Sequence, residues 1–169
     1  QTGVGRTGSL YAFQQYGIEP DVITSAKGLG GGLPIGACLC RERLGGGLSA
    51  GQHGTTYGGN PIACAAARYV LGRINQPEFL AGVGATGEAF RKALSAMPHV
   101  KEVRGLGMML GVELEEGYSA KDIAVQCAEK GLLILTAKTL LRLLPPLNIT
   151  QEERERGLTI LQKVLEEAK

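Results

Sequence analysis

From residue 79 onward the apolar positions follow a helical period. Phe79, Val83, Phe90 and Leu94 fall at intervals of four and seven residues, which places them on one face of a helix. Leu158, Leu161 and Leu165 repeat that spacing near the end, against the charged stretches ERER and EEAK. That last helix therefore buries one face and solvates the other. Ser119 with Asp122, and Thr150 with Glu153, stand three residues apart, the spacing of capping boxes. They open two helices, one ending near Lys130 and one near the C-terminus. Between the helices, VKEV, MMLGVEL, LLILT and LRLLP are short β-rich runs and read as strands of a small sheet, with Met97 to His99 as a turn. Helices and a small sheet together give the second half an α+β character.

The first half has weaker periodicity and more breakers. Residues 9 to 16 (SLYAFQQY) predict a short helix with Ser9 as N-cap and Gly17 as its stop. A brief strand follows at Val22 to Thr24, and Leu33 to Cys40 reads as another. Asn60 and Pro61 form an N-cap and first-turn pair for an Ala-rich helix over 61 to 74. The segment NQPE (75 to 78) is the expected hinge, dividing the chain into domains at 1–77 and 78–169.

Composition narrows the class. Glycine accounts for 26 of 169 residues, roughly twice its usual share of about 7%, and most of it precedes residue 60. The 18 basic and 16 acidic residues leave a formal charge of +2 with no basic stripe, so a nucleic-acid partner is not expected. No apolar run is long enough to span a bilayer, and a membrane partner is not expected either. Cys38, Cys40, Cys64 and Cys127 lack CxxC spacing, and His53 and His99 do not complete a metal set, so no metal site is expected. The cysteines read as buried free thiols in a reducing compartment, which suggests the cytoplasm. The chain opens without Met and without a signal-peptide pattern. It is expected to be part of a longer protein.

Three stretches carry candidate chemistry. Gly3, Gly5 and Gly8 match GxGxxG, but the match lacks the preceding strand and the acidic residue about 20 positions on that a dinucleotide site needs. In SAKGLGGGLPIGA (25 to 37) a single lysine precedes a glycine run. This is not a phosphate-binding P-loop, where lysine follows the glycines. Lys27 is either an ordinary surface charge or an amine that forms an imine with a carbonyl cofactor. The second role requires a shielded position and a neutral amine, with glycines letting a bulky ring approach the backbone. In GQHGTTYGGNP (51 to 61), Thr55, Thr56 and the helix start at Asn60 make either a small anion site or a well-capped turn. Arg142, set among Leu140, Leu141, Leu143 and Leu144, needs a carboxylate partner, which an internal salt bridge or a bound substrate would supply. Arg104 in RGLG reads as part of a turn joining two strands, and the two histidines carry no assigned role.

Taken in order, QTGVGRTG, SAKGLGGGLPIGA, HGTTYGGNPIACAAA, VRGLGMMLGVE and LLRLLPPLNIT closely resemble the class III aminotransferases along the whole chain. Within that family the likeness is greatest to the arginine-biosynthesis members that act on N-acetylornithine. The resemblance implies an α/β fold of PLP-dependent transferase fold type I. Residues 1–77 would be the C-terminal part of the large PLP-binding domain and 78–169 the small α+β C-terminal domain. It implies that Lys27 holds pyridoxal 5'-phosphate covalently and that Gln1 contacts the ring hydroxyl. Thr56, with Thr55 beside it, would donate to the phosphate across a homodimer, and Arg142 would bind substrate carboxylate. The full enzyme would transfer the terminal amine of N-acetylornithine to 2-oxoglutarate. The alternatives are another ω-aminotransferase (for succinylornithine, ornithine or 4-aminobutyrate), a mutase of the same fold, or a non-catalytic fragment active only in assembly. Family members carry Asp-Glu-Val immediately before the position of Gln1, and its aspartate pairs with the pyridine nitrogen. Without it the isolated chain is expected to lack transaminase activity.

Overall fold

The computed structural model describes residues 1–168, and its contacts divide the chain after Leu80 into two units. In the first, β1 (Val22–Ser25) and β2 (Ala37–Cys40) form an antiparallel ribbon, with Val22 opposite Cys40 and Ser25 opposite Ala37. The helix α1 (Pro61–Ile74) begins where its cap signal predicts: the Asn60 side chain accepts from the backbone N–H groups of Ile62 and Ala63. A small cluster of Val4, Leu29 and Ala67, with Ile35, Val70, Leu71 and Ile74 around it, is the core of this unit.

Three expectations for the first unit change. The helix over 9 to 16 is a 3-10 turn at Ala12–Tyr16 with Tyr11 at its N-cap. Ser9 is occupied elsewhere, because its hydroxyl donates to the Tyr11 carbonyl at 3.0 Å. Gly17 does stop the turn, in the left-handed conformation at φ 62°. The strand expected over 33 to 40 begins only at Ala37, because a turn at Gly31 and Gly32 runs into a bend at Leu33 and Pro34 follows it. Finally, Cys38, Cys40 and Cys64 are exposed and only Cys127 is buried. The reason is that every residue of β2 is exposed in the two-stranded ribbon, whereas Cys127 sits in the main core, where burial pushes its thiol up to about 11.

The second unit is a sheet covered by helices. The helix α2 (Pro77–Ser95) leads into β3 (Val100–Leu106) and β4 (Met109–Leu114), followed by α3 (Ala120–Glu129), β5 (Leu135–Ala137), β6 (Leu140–Leu143) and α4 (Gln151–Glu167). The strands pair antiparallel in the order β3-β4-β6-β5. Along β4, Leu110, Val112 and Leu114 are buried while the alternate residues are not, as period-two packing requires. The buried face meets Phe90 and Leu94 of α2, Ile123 and Cys127 of α3, and Leu161 and Leu165 of α4. Each such buried side chain contributes about 1.5–3 kcal/mol. Of the LLILT run only its end is strand, and the RGLG segment is shared: Arg104 to Leu106 belong to β3, so the turn itself is Gly107 and Met108.

Two local features yield stability predictions. Thr150 caps α4, its hydroxyl accepting from the Glu153 backbone while the Glu153 carboxylate accepts from the Thr150 backbone at 2.8 Å. The Thr150 backbone N–H and hydroxyl, both donating to that carboxylate, hold it below its ordinary range. Its contribution is therefore present above the unfolded-state value and is lost as pH falls through the lower folded one. Thr150→Ala should lower stability by about 1 kcal/mol, read by urea denaturation near neutral pH. In the hairpin between β5 and β6, Lys138 has a left-handed φ of 55°, which favours glycine. Lys138→Gly is expected to raise stability by about 1 kcal/mol in the same assay.

Candidate active site

Two loops of the first unit bring the first pair of candidate residues together. The opening loop is closed by a bridge between Gly3 and Tyr11 and by the Gly5 N–H donating to the Leu10 carbonyl at 3.2 Å. The second loop is a 3-10 turn, Lys27–Gly30, ended by Gly31 at φ 60°. Lys27 heads that turn with a left-handed φ of 53°, unusual for a residue with a β-carbon. Its Nζ donates to Oε1 of Gln1 at 3.1 Å. The partner is a neutral carboxamide, so the contact is a hydrogen bond and not an ion pair.

The shielded position expected for Lys27 is not found: both Lys27 and Gln1 are exposed, since no described element of this unit covers them. Nor do all the glycines after Lys27 serve a ligand. A β-carbon on Gly30 would lie 2.8 Å from the Ile35 side chain, and one on Gly31 would lie 2.9 Å from Val70. These two positions let the loop close onto its own unit.

Thr55 and Thr56 lie in the exposed turn before α1. The Thr55 hydroxyl accepts from the Gly58 N–H at 3.2 Å, and Asn60 takes two of the first amides of α1. Any anion here would therefore be met by hydroxyls and turn amides rather than by a free helix terminus. No hydrogen bond joins these threonines to Lys27 or Gln1 among the described residues.

Arg142 stands in the second unit on β6, opposite Gly111 of β4 and Leu135 of β5. It points away from the core side occupied by its neighbour Leu141, which is fully buried. The side chain is half-buried and lines a cleft of about 310 Å³ with Leu143, Pro145, Arg154 and Leu158. No hydrogen bond or ion pair satisfies it among the described residues, so the internal salt bridge is not formed there. Arg104, by contrast, pairs with Glu113 and Glu102, and His99 stacks on Tyr118 with ring centroids 4.0 Å apart. Both are structural contacts. The signal that sequence reasoning missed is Val4, buried beside Leu29 with a left-handed φ of 53°.

A family model described as aminotransferase class-III matches residues 1–165, and the chain belongs to that family. It is 51% identical to the acetylornithine aminotransferase of Haemophilus ducreyi, over 99% of this chain and 42% of that protein. It is 45% identical to the succinylornithine transaminase of Photorhabdus laumondii, over 98% of this chain and 43% of that protein. The solved N-acetylornithine aminotransferase of Stenotrophomonas maltophilia superposes with a TM-score of 0.87 at 38% identity, covering 99% of this chain and 45% of that one. The chain thus spans about two-fifths of the length of the curated relatives it matches. Its fold is that of the α/β PLP-dependent transferases of fold type I.

Proposed function

We propose that this chain is the C-terminal part of an aminotransferase that moves the terminal amine of N-acetylornithine to 2-oxoglutarate. Residues 1–77 would complete the large domain and 78–169 would form the small one, a division supported by the break in contacts after Leu80. The observation that carries the reading is the Lys27 amine held against Gln1 by two loops that are 26 residues apart in sequence.

The residues present fit pyridoxal 5'-phosphate in donor chemistry: an amine at Lys27 that the rest of the whole enzyme would shield, a carboxamide for a ring oxygen, and threonine hydroxyls for a phosphate. When bound, the cofactor supplies an electron sink for negative charge on the carbon that carries the amine. Lys27 moves a proton to and from that carbon, as base and then as acid at Nζ. Gln1 orients the ring through its side chain. Thr55 and Thr56 donate hydroxyl hydrogen bonds to phosphate oxygens, Thr56 across the subunit boundary of a homodimer. Arg142 pairs its guanidinium with a substrate carboxylate, which satisfies a half-buried cation otherwise left unpaired. The four free cysteines fit a reducing, cytoplasmic setting.

Incubating the chain with pyridoxal phosphate, reducing with borohydride and mapping the label by peptide mass spectrometry tests the assignment. Label on Lys27 is the expected result; label confined to other lysines overturns it. In the whole enzyme, Arg142→Ala should raise KM for the 2-oxo acid about tenfold to a hundredfold, the loss of a charge-assisted contact. Steady-state kinetics with varied 2-oxoglutarate checks this. The identity to a succinylornithine transaminase supports a second reading in which the donor carries a succinyl group. A donor panel of acetylornithine, succinylornithine, ornithine and 4-aminobutyrate separates the two.

A further inference from the structure

Val4 has no polar side-chain atom to offer a ligand, yet it is held in a conformation that β-branched residues avoid. Its φ is 53°, in the left-handed region where a branched side chain is strongly disfavoured. The next residue, Gly5, is a glycine at φ 82°, so the loop already uses glycine where only backbone shape matters. A side chain kept under strain beside such a glycine is held by its packing. Val4 is 7% exposed and belongs to one cluster with Leu29 and Ala67. A β-carbon placed on Gly28 would lie 3.7 Å from the Val4 Cβ, so Val4 rests on the residue immediately after Lys27. The opening loop therefore reaches the lysine turn through this isopropyl group.

That contact bears on the Lys27–Gln1 pair. Gln1 lies three residues before Val4, and Lys27 one residue before Gly28. Their single hydrogen bond, at 3.1 Å between exposed groups, is too weak to hold two loops in register against solvent. We propose that Val4 is a positioning residue: by anchoring the opening loop on Gly28 and Leu29, it keeps the Gln1 carboxamide against the Lys27 amine. The functional meaning rests on the reading of Lys27 and Gln1 as cofactor-binding; the positioning itself does not.

The test uses the full chain, isotope-labelled, with Val4→Gly, Val4→Ile and Leu71→Ala. Leu71 packs on the same cluster and controls for lost stability alone. The readout is the nuclear Overhauser effect between the Gln1 and Lys27 side chains, with the rate of borohydride-trapped pyridoxal phosphate labelling at Lys27 beside it. Val4→Gly should abolish the Overhauser effect and slow Lys27 labelling about tenfold. Val4→Ile should restore both to within twofold of the parent, and Leu71→Ala should leave both unchanged. If Val4→Gly does not fold, Val4→Ala is read in its place. An Overhauser effect that survives both truncations, or that Leu71→Ala removes equally, overturns the proposal. Failure of the parent chain to label at Lys27 would overturn the cofactor assignment instead, while the Overhauser effect still decides the role of Val4.

Discussion

Replacing Lys27 by alanine in the whole enzyme is expected to reduce turnover by at least about 10³-fold, since proton transfer by a positioned side chain typically contributes 10²–10⁴ and the covalent tether is lost with it. Lys27→Arg should be as inactive as Lys27→Ala. A guanidinium keeps the charge and the reach, but it does not lose a proton in proteins. If Lys27 served only as a fixed positive charge, the arginine variant would recover activity, and kcat measured for both variants decides between the roles. Stability is expected to move differently. Lys27 has a left-handed φ of 53°, a conformation that glycine adopts freely. Lys27→Gly should therefore be inactive yet more stable by about 1 kcal/mol in urea denaturation. An inactive variant that gains stability would tie the lysine to chemistry rather than to folding.

The parts of the fold that could be read from sequence are those where a local rule and the tertiary contacts agree. Asn60, Ser119 and Thr150 open helices where their side chains accept from first-turn amides, Glu153 completing a capping box with Thr150 while Ser119 acts as a simple N-cap rather than half of one, and Gly17 ends a turn in the left-handed conformation. Ser9 misleads because a serine hydroxyl closes loops as readily as it caps helices, and here it bonds to Tyr11 and Thr7. The exposure of Cys38 and Cys40 could not be read either. An apolar strand announces that something covers it, but not whether the same unit supplies the cover. At the candidate site, motif order pointed to Lys27, Gln1, Thr55, Thr56 and Arg142. Backbone strain at Val4 and Lys27, and the lack of an ion pair on Arg142 among the described residues, depend on three-dimensional neighbours and leave no trace in residue spacing.

A large structural effect is expected at a glycine of the second unit. Helix α2 holds three interior glycines, at positions 82, 84 and 87, and helix propensity alone predicts that alanine improves each by about 0.5–1 kcal/mol. For Gly82 and Gly84 this should hold, because an added β-carbon meets nothing within 4 Å. At Gly87 it would lie 2.2 Å from the Gly107 carbonyl oxygen, 2.4 Å from its carbon and 2.8 Å from its Cα. All three are backbone atoms of the tight β3–β4 turn, so no flexible side chain can swing away. One helical turn on, Arg91 donates to the carbonyls of Val103 at 3.1 Å and Gly105 at 2.5 Å, fixing the hairpin against the same face of the helix. Making room for a methyl group means prising the hairpin from α2, weakening those charge-assisted bonds and loosening Met108, which is fully buried beside Gly107. Overpacking of about 1–3 kcal/mol, with partial loss of hydrogen bonds worth about 1.5–3 kcal/mol each, puts Gly87→Ala at about 3 kcal/mol destabilised. That is a large share of the 5–15 kcal/mol of a typical domain. Urea denaturation of the three alanine variants measures the contrast, and a Gly87→Ala chain as stable as Gly84→Ala would show that the helix–hairpin contact is looser than the backbone distances require.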